Sequence, residues 1–265
     1  MLRLISANVN GVRAAARRGG LERLAAQRPD VLCLQEVRAD DGQLAEVLEA
    51  GGFGAWHVAH TEASAKGRAG VAVLSRTPLL AVRVGLPGFE DAGRWVEADL
   101  GTDAGTLTAV SAYVHTGEAG TARQLEKMGF LSAMTYRMGA LAADAGAMAV
   151  VTGDLNVAHR QDDLRNWKGN LRKAGCLPEE RAVLDTWLAG GWVDVHRQVA
   201  GDVPGPYTWW SWRGQAFDTD TGWRIDYQIG TGGLARRAVA VSVDRAAAYD
   251  QRWSDHAAVV ADYDV

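Results

Sequence analysis

Residues able to bind a metal, move a proton or touch a phosphate recur at the ends of short apolar runs. LRLISA runs into Asn8 and Asn10, and VLCLQ runs into Glu36. SAYV carries Tyr113, AVVTG runs into Asp154 and Asn156, and WRIDY carries Asp226. WSDHAAV sets Asp255 and His256 directly ahead of another apolar run. Carboxylates at the mouth of a core are costly to bury unless they bind a cation or pair with each other. Two or three carboxylates with amide oxygens make a hard, oxygen-rich site, suited to Mg²⁺ or Mn²⁺ and not to Zn²⁺. The cysteines and scattered histidines show no zinc spacing. Such a site is best suited to metal-assisted hydrolysis of a phosphate ester. Taken singly, each residue has a plain alternative. An Asn after a strand is usually a turn residue, Glu36 can cap a helix, Tyr113 can be core, and an Asp-His pair says little. The conjunction carries the reading.

The elements that must position these residues are short. Apolar runs at 2–7, 31–35, 70–75, 95–100, 107–114, 148–153, 225–230, 238–243 and 257–263 have the length and Val/Ile content of strands, several buried on both faces. Between them helical patterns cover about 13–27, 40–50, 118–144 and 178–189, the last opening on Pro178, Glu179 and Glu180. Many strands with interspersed helices imply a layered α/β domain. No Pro- or Ser-rich linker and no repeat interrupts the chain, so a single domain over 1–265 is expected. Loops at 60–69, 85–94 and 201–222 are long enough to build a site.

Composition narrows the class. The chain has 265 residues, 48 % hydrophobic and 23 % charged, which suits a sizeable core and excludes a disordered tail, a collagen-like repeat and a coiled coil. No apolar run approaches a membrane span, so no membrane partner is expected. The opening MLRLISANVN lacks the features of a secretory signal, and two cysteines make no disulfide framework, so a cytoplasmic protein is expected. A net charge of −4 argues against a uniformly basic surface, although basic residues concentrate before Arg28 and between Arg160 and Arg181. Each stripe alone also fits a solvated helix face.

SANVNGVRAA, PDVLCLQEVR, AYVHTGE, VVTGDLNVAH, GWRIDY and WSDHAAV resemble, in order and spacing, the signature segments of exonuclease III-type abasic-site endonucleases. These belong to the endonuclease/exonuclease/phosphatase superfamily. The resemblance runs from residue 2 to about 263. It implies a four-layered α/β sandwich, two mixed sheets face to face with helices outside. It also implies a Mg²⁺-dependent phosphodiesterase, with Mn²⁺ as substitute, acting as a monomer on double-stranded DNA at abasic sites or 3′ ends. Carried over by residue, Asn8 and Glu36 would help bind the metal, with Asp154, Asn156 and Asp255 as further candidate ligands. Asp154 would position or deprotonate the attacking water, and Asn156 would hold it and a phosphate oxygen. His256, oriented by Asp226, would contact the scissile phosphate, and Tyr113 would sit near it. Whether Asp154 or His256 is the base is left open, as is the number of metals.

The tryptophans add a second line of argument. Trp209, Trp210, Trp212 and Trp223 cluster between Gly205, Gly214 and Gly222, a loop-like setting that favours nucleic-acid contact. Core packing is the plain alternative, and at least one of the four is expected in the core. By the resemblance, Trp209, Trp223 and Ile225 wall a pocket for a base-free deoxyribose. Trp210 and Asn10 are counted with the substrate-binding residues, and Arg94 matches a phosphate-contacting position, a surface salt bridge being its alternative. His115 and Thr116 replace the usual Pro and amide after the tyrosine segment, and Ser211 replaces an acid. These departures bear on the balance of abasic incision against 3′ exonuclease activity. Two other readings are a phosphodiesterase of lipid or inositol esters and a degenerate DNA-binding module. The tryptophan loop speaks against the first, the complete set of site residues against the second.

Overall fold

The computed structural model describes residues 1–144 and 146–265. In chain order the first half runs β1 (Leu2–Asn8), α1 (Val12–Arg17), α2 (Gly20–Ala26), β2 (Val31–Gln35), α3 (Asp41–Ala50), β3 (His57–Thr61), β4 (Val71–Ser75), β5 (Leu79–Val84), β6 (Trp95–Thr102) and β7 (Gly105–Tyr113). The second half runs α4 (Ala122–Leu141), β8 (Met148–Asp154), α5 (Trp167–Asn170), α6 (Pro178–Ala189), β9 (Trp192–Asp194), α7 (Val195–Ala200), β10 (Asp226–Thr231), α8 (Gly232–Ala235), β11 (Ala238–Asp244) and β12 (Ala258–Tyr263).

Among the described residues the strands form two six-stranded mixed sheets, ordered β11-β12-β1-β2-β4-β3 and β5-β6-β7-β8-β10-β9. Strand side chains alternate between faces, so each sheet presents one face to the other sheet and one to helices. Leu4, Val31, Cys33, Val71 and Val73 of the first sheet meet Val96, Ala98, Leu107, Ala109 and Val150 of the second in the central layer. The opposite face of the first sheet (Ile5, Leu32, Leu34, Leu74) packs on Val12, Leu21, Leu24 and Leu44. That of the second (Val110, Ala149, Val151, Ile229) packs on Phe130, Met134, Leu184 and Trp187. The result is the expected helix–sheet–sheet–helix sandwich.

Polarity along the inward-facing positions is graded, and the gradient places the site. In β1 the inward series reads Leu4, Ser6, Asn8, and its parallel partner β2 reads Val31, Cys33, Gln35. In β7 it reads Leu107, Ala109, Ser111, Tyr113, paired in register with Met148, Val150, Thr152, Asp154 of the parallel β8. Asp226, at the start of the antiparallel β10, lies opposite Asp154. The intermediate polar layer is satisfied internally: Gln35 Nε2 donates to Ser111 Oγ at 2.9 Å, and Ser111 Oγ donates to the Leu34 carbonyl at 2.8 Å. Polar groups therefore accumulate at one end of the sandwich, where β1, β2, β7 and β8 finish and β10 and β12 begin.

The strand pattern missed β3, β5 and β9. β3 carries His57 and His60, β5 is a half-exposed edge strand, and β9 has only 3 residues, so none shows a buried apolar run. The helical pattern over 13–27 divides at Gly19, whose left-handed φ of 77° cannot continue a helix. The pattern over 118–144 contracts to α4. No helix among the described residues is long and apolar enough to cross a membrane.

Candidate active site

The strand ends bring Asn8, Glu36, Asp154, Asn156, Asp226 and His256 together. Asn8 Nδ2 donates to Glu36 Oε1 and to Asp154 Oδ2, each at 2.9 Å, while its Oδ1 accepts from the Asn10 amide at 3.0 Å. As placed, Asn8 bridges two carboxylates through its nitrogen. Asn156 holds Asp154 twice, from its backbone N to Oδ1 (2.9 Å) and from Nδ2 to Oδ2 (3.0 Å). Its Nδ2 also donates to the Val114 carbonyl at 2.8 Å, and its Oδ1 accepts from Thr116 at 3.1 Å. Val114 and Thr116 thus fix the Asn156 side chain while its Nδ2 and backbone N–H orient Asp154. The serine–aspartate–histidine turn is pinned in turn: Ser254 Oγ donates to the Asn8 carbonyl at 2.8 Å.

Local backbone geometry serves the same end. Asn10, Glu36, Arg38 and Asn156 all adopt left-handed φ angles of 45–52°. Asn tolerates that region, whereas Glu and Arg pay for it. Gly153 is obligatory beside Asp154. At its φ of 133° a Cβ would lie 2.0 Å from the Ala112 carbonyl oxygen, so any side chain would push β8 off β7.

His256 and Asp154 form the electrostatic centre. His256 Nδ1 lies 2.8 Å from Asp226 Oδ2, and Nε2 lies 3.7 Å from Asp154 Oδ2. Burial presses the imidazole pKa down, but the Asp226 and Asp154 charges outweigh it and lift it to about 10. These neighbours therefore favour the charged imidazolium form of His256. Burial raises the Asp154 pKa well above the ordinary carboxylate range, the nearby His256 opposing and the Asp226 and Glu36 charges adding to it. A carboxylate with a raised pKa is the stronger base. Tyr113 is pushed up by burial and by Glu36 and Asp154, so its hydroxyl keeps its proton.

Ligand atoms of Glu36, Asp154 and His256 lie within 4.8 Å of one another, a group able to hold a metal ion. The residues fit a divalent cation. Two buried carboxylates converge, the third nearby, Asp226, has an Oδ1 with no partner, and Arg38 pairs with Glu36 on its far oxygen. The two carboxylates of the group offer oxygen donors, which suit a hard cation. Asp255 is not in this group. Its carboxylate accepts from Asn10 Nδ2 at 2.7 Å and Trp209 Nε1 at 3.1 Å.

Asp154, Asn156, Asp255 and His256 share a cavity of about 570 Å³ with Trp209, Trp223 and Ile225. Trp209 and Trp223 meet edge-to-face, centroids 6.4 Å apart at 84°. Their backbones pair with each other, and Trp209 also bridges to His256. The tryptophan loop is thereby stitched to the reacting end of the sheets. Trp210 departs from expectation: only 1 % exposed, it packs on Phe217 and donates Nε1 to Asp220 at 3.0 Å. It is a core residue, because alternate positions of an extended segment face opposite ways. Arg94 forms the salt bridge of its alternative reading, Nη1 to Glu126 at 2.9 Å. It also lines an adjoining cavity with Glu36, Tyr113 and His115. Sequence reasoning missed Lys127 and Glu180, both wholly buried behind Asn156. In the sequence they read as ordinary polar positions of α4 and α6, with no signal of their burial.

A buried carboxylate–imidazolium centre at the joint edge of two packed sheets, beside an aromatic pocket, defines a phosphoesterase-type α/β sandwich. The chain belongs to the endonuclease/exonuclease/phosphatase family, which residues 5–256 match. It is 33 % identical over 261 residues to the exodeoxyribonuclease of Bacillus subtilis (strain 168), covering 97 % of this chain and 98 % of that one. It is 33 % identical to the DNA repair nuclease APEX1 of Danio rerio, covering 86 % and 72 %. Among solved structures, an AP endonuclease from Archaeoglobus fulgidus superposes with a TM-score of 0.86 at 27 % identity. The 3′-5′ exonuclease NExo of Neisseria meningitidis also gives 0.86, at 29 % identity, and both comparisons cover 100 % of each chain.

Proposed function

We propose that this chain is a Mg²⁺-dependent DNA-repair phosphodiesterase that incises duplex DNA on the 5′ side of abasic sites and trims 3′ ends. The observation that carries the reading is the single cavity shared by the carboxylate–imidazolium centre and the Trp209–Trp223–Ile225 walls. A base-free sugar lodged between the tryptophans sets its 5′ phosphate beside Asp154 and His256.

Glu36 and Asp154 are the metal ligands in this reading. Asn8 holds the two carboxylates in place, and Asp255 at the cavity rim is a further oxygen donor. The bound cation supplies charge neutralisation at the phosphate and at the leaving oxygen. Asp154 takes the proton of the attacking water as its oxygen bonds to phosphorus, Asn156 keeping the carboxylate aimed. The P–O3′ bond breaks, leaving a 3′-hydroxyl on one strand end and a 5′ phosphate on the other. His256, its charge maintained by Asp226, donates Nε2–H to the phosphate oxygen on which charge grows. Tyr113, protonated, donates its O–H toward the departing oxygen. The enzyme acts as a single-domain monomer in the cytoplasm, where Cys33 and Cys176, both buried and free, stay reduced.

The test is a duplex carrying one tetrahydrofuran abasic analogue, incubated with Mg²⁺ or with EDTA. Mg²⁺-dependent nicking 5′ to the analogue is expected. Tight binding without nicking would mean a DNA-binding module and sink the proposal.

A further inference from the structure

Behind the reacting centre lies a charged pair that the chemistry does not use directly. Lys127 of α4 and Glu180 of α6 are both 0 % exposed, with Nζ 2.5 Å from Oε1. Lys127 Nζ also donates to the Asn156 carbonyl at 2.8 Å. The other oxygen, Glu180 Oε2, accepts from the backbone N–H of Gly175 at 2.6 Å and of Leu177 at 3.0 Å. Gln124 Nε2 completes the shell on Oε1 at 2.8 Å. Apart from Gln124 on α4 itself, the bonds of the pair lead to two places: Asn156, which aims Asp154, and the 175–177 segment flanking the tryptophan pocket.

Those two places touch. A Cβ on Gly175, whose φ is +88°, would sit 3.1 Å from the Asn156 carbonyl oxygen and 3.1 Å from Trp223 Cζ3. The Ala158 amide donates to the Gly175 carbonyl at 2.7 Å. Burial lowers the Lys127 pKa while Glu180, and more weakly Asp154, hold it up, which puts the cation within reach of the reacting carboxylate's field. A buried ion pair adds little net stability over apolar packing of the same volume, so its hydrogen-bond geometry needs another explanation.

We propose that Lys127 and Glu180 are positioning residues. The pair clamps the Asn156 carbonyl to the Gly175 amide, and so holds the sugar pocket at a fixed distance from the reacting phosphate. This rests on the nuclease reading above for its consequence in catalysis, but the clamp itself can be read without activity.

Lys127→Met alone strands a buried carboxylate and is expected to melt far below the parent, so the informative protein is Lys127→Met/Glu180→Met. Removing both charges together leaves an apolar contact, and the double variant is expected to melt well above Lys127→Met. Two readouts follow, with Mg²⁺ saturating. The indole ¹H–¹⁵N resonance of Trp223 should shift while that of Trp56, packed on Phe53 against the helix face of the first sheet, stays. On a tetrahydrofuran duplex kcat should fall about 10²-fold, the scale of a small misplacement of reacting groups, with KM within about threefold. A folded double variant with parental kcat, or with an unmoved Trp223 resonance, would overturn the proposal. If the parent fails to nick but the Trp223 resonance still moves, the nuclease reading falls and the clamp stands.

Discussion

At the scale of single residues, the structure separates three carboxylates by their partners. Glu36 faces the shared centre with Asn8 and Arg38 as its neighbours, and in the proposed reading it serves as a metal ligand and not as a proton carrier. Glu36→Ala should lower nicking steeply at limiting Mg²⁺ and recover in part at high Mg²⁺. A titration of rate against Mg²⁺ with an unchanged midpoint would remove it from the metal site. Asp154 accepts three N–H donors and stands 3.7 Å from the charged His256. Asp154→Asn keeps the shape and loses the basic oxygen. Its kcat should drop at least ~10²-fold with DNA affinity held or raised, since one anion near the phosphate has gone. Parallel loss of binding, measured by anisotropy on the same duplex, would make Asp154 structural. Asp226 lies 2.8 Å from His256 Nδ1 and favours the charged form of its imidazole.

At the scale of elements, the proposed reading assigns specificity to a loop and not to a strand. The segment 207–212 has neither a helical nor a strand period, yet its backbone is tied to Trp223 and to the turn before β12. Trp209 and Trp223 therefore face the cavity while Trp210 points into the interior. Trp223→Ala should lower kcat/KM on a tetrahydrofuran duplex by roughly 1–3 kcal/mol, the value of an aromatic platform. Hydrolysis of a small diester such as bis-nitrophenyl phosphate should be nearly spared. Equal losses on both substrates in a protein shown folded by circular dichroism would mean that the loop supports the whole site. Trp210→Ala makes a contrasting case. It should cost about 3–5 kcal/mol of stability, as a large core truncation does, seen as a lower denaturation midpoint with the substrate preference unchanged.

At the scale of the molecule, the outer layers are fastened to the sheets by buried charge. Glu97 of β6 accepts from Arg137 of α4, from Arg83 of β5 and from Trp95 Nε1, at 2.6–2.8 Å. Burial alone would raise its pKa, but these donors overcome it and hold the carboxyl below its ordinary value. Its stabilising contribution is thus complete above the unfolded-state pKa and is lost as pH falls through the lower folded one. Melting temperature should decline on acidification below about pH 4, the ordinary carboxylate range. In Glu97→Gln it should be lower at neutral pH, by the equivalent of about 3 kcal/mol for a broken buried pair, and flatter against acid. A variant with the parental acid profile would show that other carboxylates set the limit.

The polar and charged residues of the candidate site were legible before any fold was known. Asn8, Glu36 and Asp154 stand where an apolar run stops and Asp226 and His256 where one starts, and alternation along a strand makes the terminal inward position readable one strand at a time. The core strands were legible for the same reason, since they are buried and β-branched, but their division into two packed sheets was implied only by the family resemblance. Edge strand β3 was not legible, because His57 and His60 interrupt its apolar run, and β5 was passed over although Leu79–Val82 is apolar. Partnership was not legible either. Asn156 aiming Asp154, Asp255 held by Asn10 and Trp209, Trp210 turned inward, and Lys127 bonded to Glu180 across 53 positions all depend on which strand ends and helices meet in space. Local sequence sets what each side chain can donate, accept or carry. Only the packing of distant segments decides which partner receives it.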